Sequence, residues 1–135
     1  MKDGGRIANV GPLSFIIGLR QLMIPEISAT ELAAKRAAGE SFILLDVREP
    51  VELAYASLGE DVWHLPLSQL AYLQLTALPP EAQDQAAEIV VICHHGVRSA
   101  QVTAWLRQQG WQNVWNLRGG IDAYAREVDP AVGFY

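Results

Sequence analysis

Two uninterrupted apolar runs constrain this chain more than any other feature. SFILLDV at residues 41–47 and EIVVIC at residues 88–93 show little alternation of apolar and polar side chains, so neither can lay one face on a core and the other in water. Each suits a strand buried on both faces, as in a parallel sheet covered by helices above and below. The intervening segments carry helix signals. Ser28-Ala29-Thr30-Glu31 is a capping box, predicting a helix over TELAAKRAA that stops at Gly39. Pro50 opens a helical VELAYAS, SQLAYLQLTAL reads as a helix, and Pro79-Pro80 forces a break before a short helix over EAQDQAA. SAQVTAWLRQQG places Val102, Trp105 and Leu106 on one helical face and ends at Gly110. VWHLP and NVWNL read as short strands, Gly119-Gly120 as a turn explained by turn geometry alone, and IDAYAREV as a final helix. The predicted class is α/β, a central parallel sheet of about five strands with helices on both faces. Sites in such sheets form beyond the carboxyl ends of the strands.

At 135 residues the chain has room for one domain with a sizeable core. We read residues 25–135 as that domain and residues 1–24 as a flexible extension, with partner docking as its functional alternative. Asp3 and Arg20 argue against a secretory leader, and LSFIIGL is far too short for a membrane span. A formal charge of −5 repels phosphate backbones and argues against nucleic-acid binding. One cysteine makes no internal disulfide, so the fold does not depend on an oxidising compartment and a cytoplasmic location is expected.

The loop after the second run, CHHGVRSAQ at residues 93–101, gathers the only cysteine, two of the three histidines, a glycine and an arginine. Free cysteines are commonly buried and inert. Cys93, however, stands where a buried strand meets a helix expected to begin near Arg98. Gly96 permits a tight turn with positive φ that points successive amide N–H groups inward. The helix N-terminus and the permanently charged Arg98 add positive potential, and all three effects favour thiolate over thiol. Only His94, His95, Gly96 and Val97 separate Cys93 from Arg98, one residue fewer than a ring that surrounds a tetrahedral phosphate. The contracted ring suits the terminal sulfur of a persulfide anion, held by Arg98 and the amides. A thiol sealed in the interior, or amides turned away, would leave a structural or adaptor protein instead.

Strand, CHHGVRS and helix, preceded by LLDVRE and followed by NLRGGIDAY, together resemble a single-domain rhodanese, a sulfurtransferase, over most of the chain. The resemblance implies a rhodanese-like fold and transfer of sulfane sulfur from thiosulfate or a similar donor to Cys93. From there the sulfur would pass to cyanide, a thiol or a sulfur-accepting protein. The intermediate is a covalent persulfide on Cys93 with no separate cofactor, surrounded by His94, His95, Gly96, Val97, Arg98 and Ser99. Displacement of sulfite at sulfur requires no general acid, whereas a phosphatase normally protonates its leaving group. None is assignable here. A delivery module acting with a protein partner, weak on small donors alone, is the alternative function.

His94 and His95 are read as exposed rim residues, with steering of anionic donors or tuning of the thiolate as the other possibility. No metal site is expected, because Cys93, His94 and His95 are too close in sequence to share one ion and only His64 remains to complete a set. Asp46 and Arg48 end the first buried strand on the same side as the loop and are read as scaffold, paired with backbone or each other. Ser99 is read as a helix-start hydroxyl facing a backbone N–H or the bound sulfur. The chain departs from the family pattern at YASLGEDVWHLPL and at Tyr124, which puts pocket shape in doubt. Its ending, EVDPAVGFY, resembles the tail of rhodanese domains fused to adenylating enzymes.

Overall fold

A computed structural model describes residues 24–135; the expected extension lies outside them except for Ile24. Five strands form one parallel sheet: β1 (Glu26–Ile27), β2 (Ile43–Asp46), β3 (Val62–His64), β4 (Ile89–Ile92) and β5 (Val114–Leu117), in the order β1-β5-β4-β2-β3. The two apolar runs are therefore neighbours near the centre, with Ile43 opposite Ile89 and Asp46 opposite Ile92. Because the two strands end in register, the segments carrying Arg48 and Cys93 leave the sheet side by side.

Four α-helices cover the sheet: α1 (Ala29–Ala37), α2 (Leu67–Leu73), α3 (Val97–Gln108) and α4 (Gly120–Glu127). Successive strand residues point to opposite faces, which is why each run must be apolar throughout. Leu45, Ile89 and Val91 pack with Leu70 of α2 and with Val102, Trp105 and Leu106 of α3. Leu44, Val90 and Ile92 pack with Leu32 of α1 and with Ile121 and Tyr124 of α4. Helix α1 starts at the expected capping box, where Glu31 N–H donates to Ser28 Oγ at 3.1 Å and Ser28 N–H to Glu31 Oε1 at 2.8 Å.

Three local expectations are corrected. The segment opened by Pro50 forms a 3-10 helix, Pro50–Ala54, and the SQLAYLQLTAL helix ends as α at Leu73 and continues as a 3-10 turn, Gln74–Ala77. EAQDQAA is not a helix beyond the short Pro80–Ala82 turn. The Trp111 indole N–H donates to the Ala82 carbonyl at 2.8 Å, and the Asp84 carboxylate accepts from Ala86 N–H at 2.9 Å, so groups that a helix needs are engaged elsewhere. The edge strand β1 had no sequence signal of its own. It exists because the Pro25 and Ile27 carbonyls accept from the Asn116 and Arg118 amides, each at 2.9 Å. Among the described residues no helix is long and apolar enough to cross a membrane.

Candidate active site

Cys93 follows the last residue of β4, and Gly96, at φ +92°, turns the chain into α3. The turn brings two amides onto the sulfur: Gly96 N–H donates to Cys93 Sγ at 3.1 Å and Ser99 N–H at 3.3 Å, while Ser99 Oγ lies 3.2 Å away. N–H groups at a helix start have no intrahelical acceptor and are available for such a role. Cys93 itself is only 1% exposed. The amides thus face inward, as expected, but the thiol is covered and packs in the hydrophobic core, the one observation here on the side of a structural cysteine; sulfur transfer requires that it be uncovered.

The polarity of this cradle is imposed from beneath. Ile121 N–H donates to the Cys93 carbonyl at 2.9 Å and Asp122 N–H to the His94 carbonyl at 3.0 Å. The first turn of α4 thereby draws two loop carbonyls away from the sulfur. This close approach explains Gly120, which turn geometry alone does not: a Cβ there would stand 2.4 Å from the His94 oxygen and 2.6 Å from the Cys93 oxygen, whereas Gly119, at φ +75°, answers to the turn itself. A second support is Asn116 on β5, which sequence reasoning missed. Its Oδ1 accepts from Ser99 Oγ at 2.5 Å, and its Nδ2 donates to the Gly96 carbonyl at 3.2 Å and to Glu26 Oε2 at 3.1 Å. The available signal was a polar residue inside the otherwise apolar strand NVWNL. Ser99 is fully buried and bonded to Asn116, so it supports the cradle and does not cap the helix; Gly96 occupies the cap position.

Arg98 lies at the edge of the cradle, where its Nη1 and Nη2 donate to the two Glu52 carboxylate oxygens at 2.6 and 2.8 Å. Its direct partner is a carboxylate and not the sulfur. The pair holds Glu52 down to about 2 and Arg98 above its ordinary value, in each case chiefly through these charge-assisted bonds. Glu52, carried by the 3-10 helix after β2, was invisible as a site residue because only the sheet order brings it beside α3. Val97 points outward and is exposed.

The two histidines separate. His95 is exposed. His94, expected on the rim, is half-buried, its ring stacked between His95 at 3.8 Å and Tyr135 at 3.7 Å. Burial, then the neighbouring His95, lowers the His94 pKa, and its Nε2 is buried without a hydrogen-bond partner. His94, His95 and Asp122 have donor atoms within 4.8 Å of one another. Stacked imidazoles aim their in-plane lone pairs alongside each other instead of at one point, and Asp122 is engaged by Arg126 at 2.8 Å. That is a poor cation cage. His64, the remaining histidine, is bonded to the Arg48 carbonyl at 2.7 Å.

Asp46 and Arg48 are buried at the neighbouring strand end. Arg48 Nη2 donates to Asp46 Oδ2 at 2.8 Å and to the Ala56 carbonyl at 2.9 Å, and the Arg48 amide donates to Asp46 Oδ1 at 3.0 Å. Arg48 Nη1 also donates to the Tyr135 hydroxyl at 3.0 Å. That hydroxyl donates to Glu52 Oε1 at 3.0 Å. The buried pair therefore underpins the carboxylate that grips Arg98.

Comparison with known proteins agrees with this architecture. The rhodanese-like domain matches residues 28–127. A sulfurtransferase of Allochromatium vinosum is 36% identical over 110 residues, covering 82% of this chain and 96% of that protein. The thiosulfate sulfurtransferase GlpE of Haemophilus influenzae is 36% identical over 88 residues, covering 65% of this chain and 77% of the relative. The solved structure of the human single-domain sulfurtransferase TSTD1 aligns with a TM-score of 0.62 at 27% identity, over 76% of this chain and 96% of that one. A sheet with this strand order, a cysteine cradle at the end of its central strand and a family match over residues 28–127 all agree: the chain belongs to the rhodanese-like domain family and has the general character of a sulfurtransferase.

Proposed function

We propose that this domain moves sulfane sulfur from thiosulfate, or a donor of the same kind, through a persulfide on Cys93 to a thiol or to cyanide. The Cys93 thiolate attacks the outer sulfur of thiosulfate, the S–S bond of the donor breaks, and sulfite leaves with its electron pair. The product is a cysteine persulfide anion. In the second half, cyanide attacks the terminal sulfur and leaves as thiocyanate, or a thiolate attacks and leaves as a new persulfide, and the Cys93 thiolate returns. Neither half requires a proton donor, a metal or a separate cofactor. A cytoplasmic setting, where thiols stay reduced, suits the cycle.

The observation that carries this reading is the convergence of two amide N–H donors, those of Gly96 and Ser99, on Cys93 Sγ, both within 3.3 Å. Fixed donors at the site of developing charge act without reorganisation. Arg98 stands at the edge with its charge paired to Glu52, so it contributes the field of an ion pair and not that of a free cation. The test is thiosulfate-dependent sulfite release. It should vanish in Cys93→Ser and fall by about tenfold or more in Arg98→Ala, the scale of one lost charge interaction; full activity of Cys93→Ser would refute the reading.

Delivery to a protein acceptor is the second reading. It is favoured by Val51, Tyr55 and Val97, which are 71%, 60% and 64% exposed on the segments that carry Glu52 and Arg98. Exposed apolar side chains clustered by a site suit a protein surface. Feeble turnover with thiosulfate and cyanide alone, against rapid persulfide formation, would support it.

A further inference from the structure

A covered thiol that exchanges sulfur must be uncovered, and one side chain lies against the loop that carries it. The segment after α4 returns to the stretch that follows the 3-10 helix of Glu52, with the Val132 carbonyl accepting from Ser57 N–H at 3.0 Å. The Tyr135 ring then lies flat on the His94 ring, 3.7 Å between centroids and 7° from parallel. Its hydroxyl reaches Glu52 Oε1 at 3.0 Å, the same oxygen that accepts from Arg98 Nη2 at 2.8 Å. Tyr135 thus spans the loop from its second residue, His94, to the partner of its sixth, Arg98. Tyr55 stacks on the Tyr135 ring at 5.6 Å. Burial raises the phenol pKa, so the hydroxyl remains a donor to Glu52 at neutral pH. The residue is nevertheless 37% exposed. What holds it is two stacks, on His94 and Tyr55, and two hydrogen bonds, from Arg48 and to Glu52, a small set of contacts at the edge of the domain that opens more readily than a core.

We propose that Tyr135 is a specificity-determining residue that selects sulfur acceptors by size, because its ring bridges the mouth of the Cys93 loop. Cyanide passes at its edge, whereas a bulky thiol reaches the persulfide only when the ring swings off His94 and Glu52. This inference rests on the persulfide reading above.

The experiment uses the full chain, loaded with thiosulfate and freed of excess donor. Discharge of the persulfide is followed by intact mass with either cyanide or glutathione as acceptor, for the wild type, Tyr135→Phe and Tyr135→Ala. Tyr135→Ala removes stack and tether and should raise the glutathione rate about tenfold relative to the cyanide rate, the scale of an aromatic contact plus a hydrogen bond. Tyr135→Phe keeps the ring, loses the hydroxyl with its bonds to Arg48 and Glu52 and should raise the same ratio about threefold, the lower end of what such bonds contribute. Should Tyr135→Ala fail to fold, the Tyr135→Phe ratio decides alone. A ratio unchanged from wild type, including the case where both acceptors speed up or slow down by one factor, overturns the selection role and leaves Tyr135 as structural support. A wild-type chain that takes up no sulfur overturns the persulfide reading itself, a result distinct from a loaded chain with a flat ratio.

Discussion

The ends of β2 and β4 emerge side by side from the same edge of the sheet, yet the chain finishes them in opposite ways. After β2, Asp46 and Arg48 are buried and bonded to each other, to the Ala56 carbonyl and to Tyr135. Every strong group there has a protein partner, and nothing is left over to act on a substrate. After β4, Gly96 and the first turn of α3 direct amides at a sulfur atom that has no covalent or ionic partner. The carbonyls of Cys93 and His94 are removed from the scene by α4. Equivalent topological positions therefore become scaffold or reactive centre according to whether the local donors are saturated. Glu52 joins the two, since Arg48 supports it through Tyr135 while it grips Arg98.

Substitutions at the two strand ends should separate stability from chemistry. The largest effect belongs to Cys93→Ser, which should abolish sulfite release while leaving the thermal transition near that of the wild type; persistent turnover would move the chemistry elsewhere. Asp46→Ala should leave Arg48 buried and unpaired and cost ~3–5 kcal/mol of stability by denaturant titration. A loss below ~1 kcal/mol would show that the corner is not the support described. Gly120→Ala should push the Cys93 and His94 carbonyls off α4 and lower kcat/KM by about 100-fold, as misplacement of a reacting group does. If turnover is preserved, the underside of the cradle is not what aims the amides.

The smallest effect is the pH dependence of the Glu52 clamp. Glu52 is held from 4.5 down to about 2 in the folded protein, so its contribution is fully present above the unfolded value and is lost as pH falls through the folded one. The stability difference between wild type and Glu52→Gln should be constant from neutrality to about pH 5 and shrink at more acid pH as the carboxylate is protonated. A difference that does not narrow on acidification would mean that Glu52 gains nothing from Arg98.

What was legible in the sequence was local. β2 and β4 announced themselves because strands covered on both faces must be apolar at every position, and the α1 start was written in Ser28 and Glu31, three residues apart. The Cys93 loop was legible for the same reason, since its glycine, its amides and its helix are contiguous. Glu52, Asn116 and Tyr135 were not. Each reaches the site only through the strand order or the return of the segment after α4, and a long-range contact leaves no mark in spacing. Gly120 shows the intermediate case: the glycine was recognised, but its reason, two carbonyls pressing from another part of the chain, lies in the fold. His94 looked like a rim residue for want of any sign that Tyr135 would cover it.

The most direct test is the intact mass of the protein after thiosulfate treatment. The amide cradle at Cys93 predicts one added sulfur, about 32 Da, retained on removal of excess donor, discharged by cyanide and absent from Cys93→Ser. A protein whose mass is unchanged by the donor would contradict it, because a sulfur held by those donors yet unable to take up a second would be a structural thiol and not a nucleophile.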